Sequence, residues 1–548
     1  MGIFINLYVN YQDISIERWE DVYRESLVLL ERFPAPLVRL KAEKKDNHKR
    51  LVLTSTIIAG QGTGNENWKI VGDSVSGQLA EGFGLHRIYS NCRHYNDQLS
   101  SDDILLVEED AIRYSQCNGQ NLFGGKTQGY PYHLALLAVG MLLEARFPLA
   151  VHVSGDINKC QVQHMLQWSN AILDKPVTEP VCVDGEGLYR RLNQLYADKS
   201  LVIKRFKTLY RGVDEEGMRI LLHFGDRQEV VRNFSEELGN YADLNRLGAG
   251  RLISIMLSAD KDIGKLIDTV TGIKTPDGHN KFTLEELLKL LVRHFVTIDT
   301  SERDILRDFI ASPEKLMNRE DVVSRIFMKF GGMHSMDMDY FISGRELLDI
   351  FSSFHKEKSR IFEKIIAREE AACRKHIAML KAVLDELNEK LQNEAAVAAV
   401  EKSVSTAGGQ AGISRPDSLS AQDYILNQIH DQTKKYEEPE NSAGAIGAGL
   451  RKIISENPTF FDTDNRNEIL AMIYRAIYEQ RFALYESAWN TIDKEDNIYL
   501  LKCILALSMI KNREVNFWDW RKYILNHRQL WKLFSPRSEG EASLQPST

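Results

Sequence analysis

Between Gly119 and Leu173 this 548-residue chain gathers the residue types that hold phosphates, bind metals and move protons. GQNLFGGKT (119–127) approaches the loop G-x-x-x-x-G-K-[ST], whose backbone N–H groups and lysine cradle phosphate. Five residues, not four, separate Gly119 from Gly125, which excludes a nucleotide loop of that class. A looser anion-binding candidate remains: Gly124, Gly125, Lys126 and Thr127, placed ahead of a helix whose free N–H groups and dipole favour negative charge. Downstream, His152, Asp156, Cys160 and His164 recur every four residues. Cys160 and His164 share a helical face at metal-ligand spacing, but a structural zinc needs four strong ligands. Asp156 is more economically read as a helix N-cap, so no metal and no cofactor is expected.

A second segment repeats part of this chemistry. GDSV (72–75) follows an apolar strand and resembles the Gly-Asp-Ser block of the GDSL-type esterases, in which the serine is the nucleophile. Those enzymes also need a histidine base in an Asp-x-x-His element, and none of the fourteen histidines has Asp three residues before it. The G-x-S-x-G elbow fails as well, because Ser76 stands where glycine is required. Aligning IVGDSVSGQLAEGF (70–83) with HVSGDINKCQVQHM (152–165) gives strand, Gly-Asp, then Gln five residues after Asp in both. LLERFP (29–34) and LLEARFP (142–148) precede them. The reading is two related α/β half-units, each with an aspartate capping a helix. An enzyme on this frame, a hydrolase for instance, would draw on Asp73, Ser74, His133, His152 and Asp156. Lys126 and His164 would lie nearby, and all of them should converge in one concave site.

Two further patterns have simpler readings. TPDGHNKFTLEE (275–286) and SMDMDYFISGRE (335–346) mimic calcium loops but lack the first Asp and the sixth-position Gly. Their ends match capping boxes, Thr283 with Glu286 and Ser343 with Glu346. WDWRKYILNHRQLWKLF (518–534) is an aromatic, basic helix. Its expected role is core packing with cations outward; the alternatives are partner docking through Trp518, Trp520, Tyr523 and Trp531, and lying on an anionic membrane surface.

The elements that must position these residues follow from periodicity. Ile3 to Val9 reads as a strand, and a helix capped by Asp13 or Ser15 runs to Phe33 before Pro34 and Pro36. Leu37–Ala42 and Leu51–Ile58 form a strand pair, Gly60, Gly62 and Gly64 a loop, and Trp68–Val71 a strand leading into a helix through Phe83. Phe123–Gly129 is expected as an exposed loop. The fold class is therefore α+β, or α/β with two related half-units, over residues 1–185, followed by mostly α-helical domains with a coiled-coil-like arm. The helical domain covers 186–354. A long helix covers 355–402, with a seam of Ile366, Cys373, Ile377, Leu380, Leu384, Leu387 and Leu391 that can pair within the chain, with another protein or with a second copy. Residues 403–420 read as a linker, 421–536 as a helical C-terminal domain, and 537–548 as a disordered tail.

Composition limits the function classes. Sixty-nine basic against 77 acidic residues give a net charge of −8, which argues against general nucleic-acid binding. Six scattered cysteines without a C-x-x-C pair suit a reduced, cytoplasmic protein. No apolar run is long enough to span a bilayer, and the N-terminus lacks a secretory pattern. With no catalytic set complete, the expected function is protein interaction: a binder, inhibitor, adaptor or scaffold in a larger assembly. A neutralising or immunity role in bacterial conflict would suit such a protein.

Overall fold

The computed structural model describes residues 2–10, 14–45, 47–92, 103–106, 119–302, 340–402, 420–433, 436, 443–509, 515–531 and 534. The expected linker, the tail, the segment 303–339 with Ser335, and the side chains of Trp518, Leu380, Leu384, Leu387 and Leu391 lie outside what is described. The chain divides into two compact units, Met1–Pro180 with Arg415–Thr548, and Val181–Ser414.

The first unit opens with strand β1 (Phe4–Asn10) and helix α1 (Ile16–Arg32). Ser15 caps α1 by accepting the Arg18 N–H at 3.2 Å, and Trp19, Val22, Tyr23, Leu29 and Leu30 bury its apolar face. β2 (Leu37–Lys45) and β3 (His48–Thr54) form the expected hairpin, and short β4 (Ile58–Ala59) pairs with β5 (Asn67–Asp73). The helix expected after Asp73 is absent. Asp73 closes a tight turn instead: its Oδ1 accepts from Val75 N–H at 3.0 Å and Ser76 N–H at 2.7 Å, and its Oδ2 from the Ser76 hydroxyl at 2.6 Å. The chain then reverses into β6 (Leu79–His86), paired antiparallel to β5. The period-two burial of Phe83 and Leu85 is the strand's sequence signature.

β7 (Gly119–Lys126) takes up most of the segment read as a loop. It pairs antiparallel with β1, Lys126 opposite Phe4. α2 (Tyr132–Arg146) follows, then β8 (Val151–Gly155), which flanks the other side of β1. β7 and β8 are thus parallel to each other, and α2 is the crossover between them. α2 is buried at every position from Tyr132 to Glu144, as a helix packed on several sides must be. Gly140 permits its approach to the sheet, because a Cβ there would lie 2.8 Å from Val153 Cγ2. α3 (Lys159–Asn170) is capped by Asn158, not Asp156: Gln161 N–H donates to Asn158 Oδ1 at 2.9 Å, and the Gln161 side chain reaches back. The two Gly-Asp segments therefore do not share a structure. One makes a hairpin turn in one sheet, and the other ends a strand of the other sheet and leads to a helix.

The second unit is helical. α4 (Gly185–Leu195) and α5 (Lys199–Leu209), α6 (Asp214–Phe224) and α7 (Arg227–Gly239), and α8 (Leu247–Asp260) and α9 (Ile263–Gly272) form successive pairs. α4 packs on α6 and α6 on α8, while α5 packs on α7 and α7 on α9. That alternation builds two stacked layers. α10 (Leu284–Arg293) and α11 (Gly344–Phe354) begin with complete capping boxes at Thr283–Glu286 and Ser343–Glu346. α12 (Ser359–Lys402) is the long helix, and the first part of its seam is used inside the unit: Cys373 and Ile377 pack with Phe295 and Ile298.

The C-terminal segment returns to the first unit. It contains α13 (Ala421–Thr433), α14 (Ala443–Glu456), α15 (Arg466–Glu479), β9 (Ala483–Tyr485), α16 (Glu486–Lys494), α17 (Ile498–Met509), α18 (Val515–Asn526) and α19 (Arg528–Trp531). β9 adds in parallel to β3, Leu51 opposite Ala483, and Trp489 donates its indole N–H to Leu51 O at 3.0 Å. The region expected as a separate helical domain thus supplies a strand to the N-terminal sheet. Its core holds Val52 of β3 with Ile473, Trp489, Leu505, Leu525 and Trp531. Half-buried Asp493 ties the β2–β3 hairpin to these helices through Lys45, Tyr474 and Arg50, the last at 3.1 Å. The expected single helix 518–534 is two helices broken at His527. Its cations are not all outward: Arg521 is fully buried, its guanidinium 4.8 Å from the Phe482 ring, and burial lowers its pKa to about 10.

Candidate functional site

The residues of the 60–170 region that come together lie at the C-terminal ends of the parallel strands β7 and β8, where crossover folds commonly place ligands. Thr127 and Gln128 N–H groups donate to Ile3 O at 2.8 and 3.2 Å. On the other side, Asp156 N–H donates to Phe4 O at 2.9 Å, and Asp156 Oδ2 accepts the Phe4 N–H at 2.8 Å. Gly155 makes the turn at φ +122°, with the Phe4 carbonyl 2.6 Å from where a Cβ would stand. His133, in the first turn of α2, places Nδ1 2.7 Å from Thr127 Oγ1. Thr127 is 0% exposed and His133 1%. Nε2 of His133 is buried without a hydrogen-bond partner among the described residues. Burial depresses the His133 pKa to about 4, against a smaller opposing pull from Asp156, so the ring is neutral at pH 7. Thr127 Oγ1 also lies 3.3 Å from Ile3 O. The Thr127 proton therefore goes either to Nδ1, leaving Nε2 protonated, or to Ile3 O, leaving Nε2 bare. A neutral histidine beside a hydroxyl has the chemistry of a base and nucleophile, but in this closed arrangement both groups clamp the start of β1.

The other candidates are dispersed. Asp73 and Ser74 belong to the β5–β6 turn, where Ser74 N–H donates to Pro36 O at 2.8 Å. His152, on β8, is 3% exposed with Nδ1 3.8 Å from Glu144 Oε2, and its ring stacks on Tyr8 at 6.5 Å. Of the anion-binding candidate, Gly124 and Gly125 are ladder residues of β7, Thr127 is in the clamp, and Lys126 N–H donates to Glu81 Oε2 at 2.8 Å. A carboxylate of the chain itself therefore holds that amide. Cys160 and His164 do share a face of α3. His164 Nδ1 lies 2.8 Å from Cys160 O and 3.5 Å from Cys160 Sγ, and its ring stacks on Tyr424 at 4.0 Å. Among the described residues no three His, Cys, Asp or Glu side chains group to hold a metal ion. Of the docking aromatics, Trp531 is 1% exposed in the core, Tyr523 stacks on Tyr436 at 4.1 Å, and Trp520 is half-buried.

Sequence reasoning missed a repeat in the second unit. Asp198, Asp226 and Asp262 cap α5, α7 and α9, each accepting backbone N–H groups of the first turn. Each is followed by apolar residues at the fourth, fifth and eighth positions: Val202, Ile203 and Phe206; Val230, Val231 and Phe234; Leu266, Ile267 and Val270. All but half-buried Val231 are buried. The pattern D-x-x-x-Φ-Φ-x-x-Φ was legible in the chain. Charge separates along the same array. Pair 185–209 carries six basic and two acidic residues, net +4; pair 214–239 carries three and seven, net −4; pair 247–272 carries three and three. Between α7, α8 and α9 lies a cavity of about 180 Å³ with Val231, Met256 and Leu266 among its walls. The ion pairs Arg227–Asp260 and Lys265–Asp262, the latter 2.8 Å, line it as well.

No family model, curated protein or solved structure matches this chain. Among the described residues no helix is long and apolar enough to cross a membrane.

Proposed function

We propose that this chain is a protein-interaction protein, a binder or adaptor within a larger assembly, and that the paired helices of residues 185–272 are its principal contact surface. The stacked, Asp-capped array is the observation that carries this reading. Arrays of helical pairs present a long continuous surface, and each pair contributes a face that its own core does not use. Here that surface also goes from net +4 on the first pair to −4 on the second and neutral on the third, a gradient that orients an extended partner. The test is capture of partners from native lysate, followed by hydrogen exchange on the isolated complex. Protection of exposed amides within 185–272 is expected. A chain that is monomeric by light scattering and captures nothing, or a partner that protects only the sheet-containing unit, would overturn the proposal.

The second reading is a hydrolase in the 60–170 region. Its support is the Thr127–His133 contact with Asp156 beside it. Covalent labelling of Thr127 by a fluorophosphonate, lost in Thr127→Val, would establish it in place of the first reading.

A further inference from the structure

The β2–β3 hairpin sorts its cations by face. Strand alternation puts Lys41, Glu43, Lys45, Arg50 and Val52 on one side. There three of the cations are paired with carboxylates of the protein: Lys41 and Arg50 with Glu43, each at 2.9 Å, and Lys45 and Arg50 with Asp493, while half-buried Arg39 shares the face without an ion pair to a described residue. The other side carries Leu40, Ala42 and Lys44 on β2, with Lys49, Leu51 and Leu53 on β3. Lys44 and Lys49 are directly opposite one another in the ladder, and both are exposed. Like charges at a cross-strand pair destabilise a sheet. Neither lysine has an ion pair with a described residue, and neither does exposed Arg481, which lies two residues before the Ala483 that pairs with Leu51. Of the acids in these elements, Glu43 is held on the other face by Lys41 and Arg50, Glu479 on α15 is exposed with no ion pair to a described residue, and Asp46 of the turn lies outside the described residues. Lys49 Nζ reaches to 5.9 Å from the Tyr478 ring, which is 38% exposed. Between the lysines and the small core of Val38, Leu53 and Ala483, the same face exposes Leu40 at 42%, with Ala42 exposed and Leu51 half-buried.

We infer that this face, Leu40, Ala42, Lys44, Lys49 and Leu51 with Arg481 at its edge, is a docking site for an acidic amphipathic segment of a partner protein. Uncompensated lysines bordering exposed aliphatic side chains match a helix or strand that alternates carboxylates with leucine-like residues. One exposed ring, Tyr478, falls short of the row of stacking platforms that single-stranded nucleic acid uses, and a chain of net charge −8 repels a long polyanion or an anionic bilayer. A short acidic segment engages only the local field, because charges beyond about 8 Å are screened at physiological salt. The surface lies in the sheet-containing unit, so the inference stands whether or not the helical array binds a partner.

The probe is a fluorescein-labelled peptide of repeated Leu and Glu with an amphipathic helical pattern, titrated with the full chain and read by anisotropy. Saturable binding is expected at low salt. It should weaken about tenfold or more in Lys44→Glu/Lys49→Glu, weaken in Leu40→Ser, and survive Lys204→Glu on the helical array. Thermal melts of Lys49→Glu should show a Tm equal to or above the parent, since the change replaces a repulsion by an attraction. No binding of the peptide at low salt would overturn the inference. Equal affinity in the double variant would also do so, as would tighter binding of oligo-dT or phosphatidylserine vesicles that the same variant abolishes.

Discussion

Mild acid should unfold the sheet-containing unit through His133. In the native state its pKa is about 4, because burial disfavours the imidazolium; in the unfolded chain it returns to 6.5. A depressed pKa means that the unfolded state takes up the proton first. Stability is therefore level above pH 6.5 and falls as pH drops from 6.5 toward 4. Linkage gives a loss of about 2 kcal/mol at pH 5 and about 3 kcal/mol near pH 4, a large share of a typical domain's stability. The assay separates the two units. All seven tryptophans, at 19, 68, 168, 489, 518, 520 and 531, belong to the unit that holds His133, and none falls in Val181–Ser414. Urea unfolding followed by tryptophan fluorescence between pH 7.5 and 4.5 should be compared for the parent and His133→Asn, whose side chain can still hydrogen-bond Thr127 without titrating. Carboxylates titrate in both proteins and cancel. The parent should lose about 2 kcal/mol more than the variant between pH 7 and pH 5. A difference that stays flat over that range would refute the assignment of a buried neutral histidine. His294, also held near pKa 4 by burial and bonded to Ser254 Oγ at 2.9 Å, gives the second unit a similar dependence that the tryptophans do not report.

Other perturbations have equally direct outcomes. Replacing 181–414 by a flexible Gly/Ser linker should leave a protein with cooperative tryptophan-detected unfolding. Ending the chain at 414 removes β9 and Trp489 from β3 and should yield insoluble protein, as sedimentation would show. Gly155→Ala forces a Cβ toward the Phe4 carbonyl at an unfavourable φ and should cost about 2 kcal/mol or more in urea unfolding. Asp226→Ala removes the acceptor of the Gln228 and Glu229 N–H groups and should cost about 1 kcal/mol. That loss should appear in far-UV circular dichroism, with the tryptophan transition unmoved.

What the sequence made legible was local. Ser15, Thr283 and Ser343 reveal helix starts because each cap is completed within four residues. The β2–β3 hairpin shows itself through two apolar runs around a polar turn. Asp73 misleads because an aspartate that accepts nearby N–H groups serves a tight turn and a helix cap alike; only the spacing of Phe83 and Leu85 separates them. Gly124 and Gly125 suggest a loop by composition, yet their conformation is set by pairing with Asn6 and Ile5, more than a hundred residues away. The same holds for His133 and Thr127: their types and proximity were visible, but not their enclosure. β9 is three residues long, below what any periodicity can mark, and its partner strand lies at the other end of the chain.

That last pairing sets an order on synthesis. β3 leaves the ribosome with one side of its ladder open, and Trp489, which donates to Leu51 O, follows 438 residues later. At about 5–20 residues per second the interval is roughly 20–90 s. During it the second unit, continuous in sequence, can complete its own core, while the first holds an unpaired strand edge and an uncovered Val52. The nascent chain is thus most prone to mispairing after the helical array is finished and before β9 emerges. Chaperone demand should peak in that window, and a stall between residues 414 and 483 should aggregate more readily than one upstream of β3.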